Sequence, residues 1–355
     1  MNVEELFTSM VERRASHLHL VPGSPILMRI NNQLVSMDGP ILSPADTEAF
    51  SRAVMNDDLL DEFEDRMECD FAFSVPGLSR FRVNVYRQRG SVACVVSTNP
   101  PSAPTLESLG IPELIKNQVS ESSSGLVLVC GPKQSGKSNT VAALVNYILE
   151  TRCCQIISLE DPLDFLHRNQ KGVICQREIG TDVASYKEAF ASLSRQGADV
   201  VVVSNLEGQE SIQQVLNLAA AGTLVIASST AASVQVMLEK IIDSYPPHLS
   251  QSCRNNLALG LKAIIGQVLL RKASGEGLVP AFELLVSTGK LKELLRENKI
   301  AQIGPYMSAS ARDHGMQTQE MALRFLVRKN IVTMEEATRQ SSRPEDFKKI
   351  MSLPY

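Results

Sequence analysis

The pattern of apolar and polar positions changes character near residue 125. Before it, apolar and polar residues alternate over short runs at His17–Leu20, Ile26–Leu34, Phe71–Val75 and Arg80–Gln88. That alternation predicts half-buried strands, with Asn31-Asn32 and Pro76-Gly77 as turns. Helical spacing marks Asn2–Ala15 and Ala45–Met67, the latter opened by Ser43-Pro44 as N-cap and first-turn proline. After residue 125 the strand-like runs are mostly apolar: Leu126–Cys130, Gln155–Leu159, Val200–Val203, Thr223–Ala227 and Gly266–Leu270. Helices are expected between them at Ser138–Thr151 and Ser185–Gln196. A run such as Val200–Val203, apolar at every position, fits a parallel sheet covered on both faces.

These changes predict an α+β domain over 1–98 and a linker over 99–124. Asn99-Pro100-Pro101, Pro104, Pro112 and the serines of Ser120–Ser124 punctuate the linker, which has room for one short helix. An α/β core over 125–285 follows, and then a helical region over 286–355 with charged amphipathic segments at Lys290–Lys299 and Glu320–Lys329.

Composition narrows the function classes. A net charge of −4 over 355 residues carries no basic excess, so no nucleic-acid partner is expected. The acidic, mixed start MNVEELFTSM does not read as a signal peptide, and the apolar runs are too short to span a bilayer. The seven cysteines contain no Cys-x-x-Cys pair, which argues against a zinc knuckle or disulfide framework and for a reducing cytoplasm.

One stretch carries chemistry on its own. Gly131-Pro132-Lys133-Gln134-Ser135-Gly136-Lys137-Ser138 matches G-x-x-x-x-G-K-[ST], with an apolar strand before it and a helix after it. The amide groups of such a loop, extended through Asn139, and the positive end of the helix cradle phosphate oxygens. Lys137 would neutralise the β/γ charge of ATP, and the Ser138 hydroxyl would ligate Mg2+.

Leu126–Ser138 together with Ile156-Ile-Ser-Leu-Glu160-Asp161-Pro162-Leu-Asp164 resembles the type II/IV secretion ATPase superfamily, the second segment looking like its aspartate box. Gln176-Arg177-Glu178, Leu294-Leu-Arg-Glu297, Gly315-Met-Gln-Thr318, Ala15–Leu20 and Arg80–Asn84 are similar to the pilus-retraction (PilT/PilU-like) branch. The absence of a tetracysteine motif after the core fits that branch too. The resemblance implies a PAS-like amino-terminal domain, a RecA-like P-loop core and a hexameric ring, built from this chain alone or with a paralogous ATPase. It also implies a place in the cytoplasm, peripheral to the membrane, below a pilus inner-membrane platform protein. By the same resemblance Glu160 would position metal and water, and Arg80 and Arg82 would reach the phosphates of a neighbouring subunit. Arg177 is a further candidate of that kind. Alternation puts Arg80 and Arg82 on one sheet face, where a solvated face is the plainer alternative, and Glu-Asp-Pro could equally be a helix cap.

The chain departs from its family where turnover is concerned. The family's Walker B run ends in Gly-Glu; here Val200–Val203 leads to Ser204-Asn205, and asparagine cannot accept a proton. Losing a general base costs about 10²–10⁴ in rate. Thr223 and Thr230 stand where the family's histidine box has histidines, Gln134 where relatives have glycine, and Ser97 where the branch tends to have arginine. This set beside an intact Gly136-Lys137-Ser138 suggests a subunit that binds ATP but hydrolyses it poorly. The alternative is an active retraction ATPase using Glu207, two residues on, as a displaced base. A small-molecule kinase leaves the flanking domains unexplained.

Overall fold

The computed structural model describes residues 2–30, 33–98 and 103–352. It divides into one unit up to residue 102 and a second from residue 103. In the first, α1 (Val3–Glu12), β1 (His17–Leu20), β2 (Leu27–Ile30), β3 (Gln33–Ser36), α2 (Pro44–Val54), α3 (Asp57–Arg66), β4 (Glu68–Val75), β5 (Ser79–Gln88) and β6 (Ser91–Thr98) follow in order. The strands form an antiparallel sheet in the order β3-β2-β1-β6-β5-β4. Along β5, Phe81, Val83 and Val85 are buried, and Phe81 stacks on Phe7 of α1 with ring centroids 4.3 Å apart. The helical run expected over Ala45–Met67 is two helices. Met55 is extended, and Asn56 opens the second by accepting the Leu59 amide hydrogen bond at 3.0 Å. Strand β6 was not legible, because Val92–Val96 has no alternation to separate it from its surroundings. The Asn31-Asn32 turn and Asn99-Pro100-Pro101 lie outside the described residues.

The second unit begins with α4 (Glu113–Glu121), β7 (Gly125–Gly131), α5 (Lys137–Thr151), β8 (Gln155–Glu160), β9 (Val173–Glu178), α6 (Tyr186–Gln196) and β10 (Val200–Val203). It continues through α7 (Gln209–Ala220), β11 (Leu224–Thr230), α8 (Val234–Asp243), α9 (Ser250–Gly260), β12 (Leu261–Arg271) and β13 (Leu278–Val286). The sheet order is β13-β12-β7-β11-β10-β8-β9. Its strands run parallel except for β13, which pairs antiparallel with β12. The expected parallel sheet is present, with β13 added antiparallel at its edge. The Ala273–Gly277 turn lets β13 fold straight back on β12 as a hairpin, a connection only antiparallel strands can make. Every residue of β7 and of β10 is buried, as strands covered on both faces require.

Within residues 99–124, Leu106, Ile111, Ile115 and Val119 join this unit's core, so the Pro- and Ser-rich composition does not leave them as a free connector. Beyond β13 come α10 (Gly289–Arg296), a 3₁₀ turn at Ile300–Gln302, α11 (Ile303–Ala309), α12 (Ala311–His314), α13 (Gln319–Arg328), α14 (Met334–Gln340) and α15 (Pro344–Ser352). Leu323, Leu326 and Phe347 of the last helices pack on Val268 and Leu270 of β12 as a smaller cluster. Among the described residues no helix is long and apolar enough to cross a membrane.

Candidate functional site

The carboxyl ends of β7, β11, β10 and β8 form one rim, and the phosphate-loop motif lies on it. A Cβ at Gly131 would stand 2.3 Å from the Gln267 carbonyl oxygen and 2.3 Å from Ser135 Oγ, so the loop closes only over glycine. Gly136 has φ +86° and lies against the Gln267 side chain, and Gln134 has φ 63°. A glutamine in that left-handed region costs about 1 kcal/mol relative to glycine, as expected for a position where relatives carry glycine. Buried Gln267 holds the loop from below, its Oε1 accepting a 2.5 Å hydrogen bond from Thr140 Oγ1. Ser135 is buried and its hydroxyl has no partner among the described residues.

Lys137 folds back on the loop, donating to the carbonyl oxygens of Gly131 at 3.0 Å and Pro132 at 2.8 Å. Burial lowers its proton affinity, with the Lys240 charge adding to the effect. The negative charge of a phosphate would offset both. Pro132, Lys133, Gln134 and Ser138 are exposed and Asn139 is half-buried.

Ser138 and Glu160, 22 residues apart in the chain, line one cavity of about 30 Å³ with Asp164, His167, Ser204 and Ser228. Glu160 Oε1 accepts from Ser158 Oγ at 2.6 Å and Gln176 Nε2 at 3.0 Å. Burial nevertheless pushes its carboxyl above the usual range, against the pull of those hydrogen bonds. Glu160 therefore ends a strand and is held by partners from β8 and β9, and no helix follows it, so the helix-cap alternative falls away. Burial also takes His167 down to about 4, with Nδ1 2.7 Å from Asn146 Oδ1. Most of the remaining lining is apolar, from Val141, Ala142, Val145, Phe165, Ile174 and Val202, so Ser138 and Glu160 bring their oxygens to a cavity that is mostly hydrocarbon.

The neighbouring strand ends are bare of such groups. Ser204 Oγ takes the Asp161 amide at 2.8 Å, and Ser228 Oγ donates to the Ser204 carbonyl. Asn205 follows half-buried, its backbone N–H bound to the Tyr186 hydroxyl. Glu207 is 58% exposed and its nearest cation is Lys240, at 3.9 Å. Thr230 ends β11 on this rim, but Thr223 precedes the same strand at its other end, roughly 20 Å away at about 3.3 Å per residue. Only Thr230 is thus placed at the phosphate loop, and the loss at Thr223 is not a loss at this rim.

The arginine candidates are all engaged. In the first unit Arg80 and Arg82 share the sheet face opposite Phe81 and Val83, as alternation predicts. Arg82 forks onto Asp70 through bonds of 2.7 and 2.6 Å, while Ser97 pairs with it in register on β6. In the second unit Arg177 donates to Ser192 Oγ at 3.2 Å and the Asp182 carbonyl at 3.5 Å. Sequence reasoning passed over Gln176 as a ligand of Glu160, and over Gln267, His167 and Lys240. Only Gln176, beside Arg177-Glu178 in a quoted motif, carried a signal.

The Type II/IV secretion system protein family matches this chain over residues 2–345. The chain belongs to that family. The type IV pilus retraction ATPase PilT of Pseudomonas aeruginosa is 34% identical over 347 residues, covering 98% of this chain and 100% of PilT. The type IV pilus ATPase PilU of the same organism is 32% identical over 353 residues, covering 99% and 92% of the two chains. A crystal structure of the pilus retraction motor PilT with bound ADP superposes with a TM-score of 0.89 at 32% identity, over 98% of this chain and 99% of that one. The DotB ATPase of Legionella pneumophila shares the fold, at a TM-score of 0.83 and 18% identity over 95% and 94% of the two chains. This member is thus a PilT/PilU-like secretion ATPase in fold and family, with a P-loop.

Proposed function

We propose that this chain is an ATP-binding ring subunit of a type IV pilus retraction machine whose own hydrolysis is impaired. Its similarity to PilT and PilU along nearly its whole length supports the pilus assignment, and the PilT structure with bound ADP supports the nucleotide. In this reading the amides of Gly131–Asn139 and the Lys137 ammonium hold the phosphates, and Ser138 and Glu160 hold Mg2+. The metal would draw charge from the β- and γ-oxygens. Arg80 and Arg82 would serve a neighbour in a hexamer, of this chain alone or with a paralogous ATPase. For Arg82 that requires release from a half-exposed Asp70, an inexpensive exchange at a surface. The station is the cytoplasmic face of the membrane, at a pilus platform protein, with no nucleic acid involved.

The observation that carries impairment is Asn205 on the strand-end rim, where no carboxylate replaces it. Glu207, the displaced-base alternative, is more than half exposed and lies 3.9 Å from the Lys240 ammonium. Phosphate release by the purified protein tests the reading. Wild type is expected to be slow and Asn205→Glu faster by about 10²-fold. Wild-type turnover at the rate of PilT, left unchanged by Asn205→Glu, would instead establish an active motor.

A further inference from the structure

Lys240 belongs to no motif, yet its ammonium group meets the same rim as Lys137. It comes from the last turn of α8 and donates to Ser229 Oγ at 3.0 Å and to the Thr230 carbonyl at 3.3 Å. Thr230 is the register partner of Gly131 across the β11–β7 pair, and Lys137 donates to the Gly131 carbonyl. Two ammonium groups therefore rest on the carbonyls of one cross-strand pair, and the Lys240 charge is felt at Lys137. Neither of the Lys137 bonds goes to a carboxylate, and the nearest acid to Lys240 is Glu207 at 3.9 Å, more than half exposed. Such a pair is a weak counter-charge. Two like charges over one cross-strand pair, with so little to balance them, make a locus for an anion.

We propose that Lys240 is a second phosphate-contacting cation, which leaves Glu207 and Thr230 to meet the terminal phosphate of ATP. This rests on nucleotide binding at Lys137 and adds which nucleotide the rim distinguishes. The diphosphate reaches Lys137; only the triphosphate extends to Lys240. Because Ser229 Oγ, a Lys240 partner, itself donates to the Leu206 carbonyl at 2.9 Å, the move also changes what holds the segment after Asn205. Loss of the terminal phosphate would return Lys240 to Glu207. The chain thereby regains a reader of nucleotide state next to Thr230, where the resemblance led us to expect a histidine.

Equilibrium titration with ADP and with a slowly hydrolysed ATP analogue separates the outcomes. Lys240→Met keeps the aliphatic stem and is expected to weaken the ATP analogue about tenfold or more, with ADP within about twofold of wild type. Lys240→Arg should keep most of the preference. Glu207→Gln removes the competing acid and should tighten the analogue about twofold or more without changing ADP, an effect no structural role of Lys240 produces. Equal weakening of both nucleotides by Lys240→Met, or no change in either, overturns the inference while leaving nucleotide binding intact. If wild type binds neither nucleotide, the underlying reading falls and this one with it.

Discussion

Strands β7 and β10 flank β11 in the large sheet and end on the same rim, but they deliver different chemistry there. Strand β7 opens into a loop in which glycine contacts, a buried glutamine and a helix start are all in place for holding phosphate. Strand β10 is equally buried and equally regular, yet it delivers Ser204 and Asn205, whose side chains carry no charge. The scaffold for binding and the groups for turnover are therefore separable in this fold. A sheet core tolerates loss of a rim carboxylate, because rim residues contribute little packing, whereas Gly131 cannot change without displacing the Gln267 backbone.

Substitutions on the two sides should break or sharpen that contrast. The largest effect is expected for Lys137→Ala, which removes charge-assisted bonds worth about 1.5–3 kcal/mol each. A binding titration should show adenine nucleotide affinity falling by about 100-fold or more. Unchanged affinity would mean the β7 side is not a phosphate site. Gly131→Ala comes next: forcing a methyl against a backbone carbonyl should cost about 1–3 kcal/mol in chemical denaturation and weaken nucleotide binding together with it.

His167→Gln should act through pH. Burial holds the imidazole at about 4, below its ordinary 6.5, so the unfolded chain takes up the proton first as pH falls. The wild type should lose stability through that window and the variant should lose less of it, read as the melting temperature between pH 7 and pH 4. The smallest effect is Gln134→Gly, expected to stabilise the loop's left-handed turn by about 1 kcal/mol minus the entropy that glycine adds to the unfolded chain. A net change near zero in the melt would still be accompanied by unaltered nucleotide affinity.

Much of this was written locally. The phosphate loop, its flanking strand and helix, and the departures at Asn205 and Gln134 are contiguous patterns, and their geometry follows from steric rules that act within a few residues. Periodicity likewise marked β5 and its buried Phe81, since a half-covered strand advertises its two faces. Strand β9 escaped because it lies at the sheet edge with no buried run to mark it, whereas α8 carries a stripe at Val234, Met237, Leu238, Ile241 and Ile242 that the sequence offered and sequence reasoning passed over. The meeting of Ser138 with Glu160, the clamp of Gln267 on Thr140 and the ion pair of Glu207 with Lys240 were decided by the tertiary structure. Strand order joins residues more than 100 positions apart in the case of Thr140 and Gln267, and no local preference encodes which strand will lie beside which.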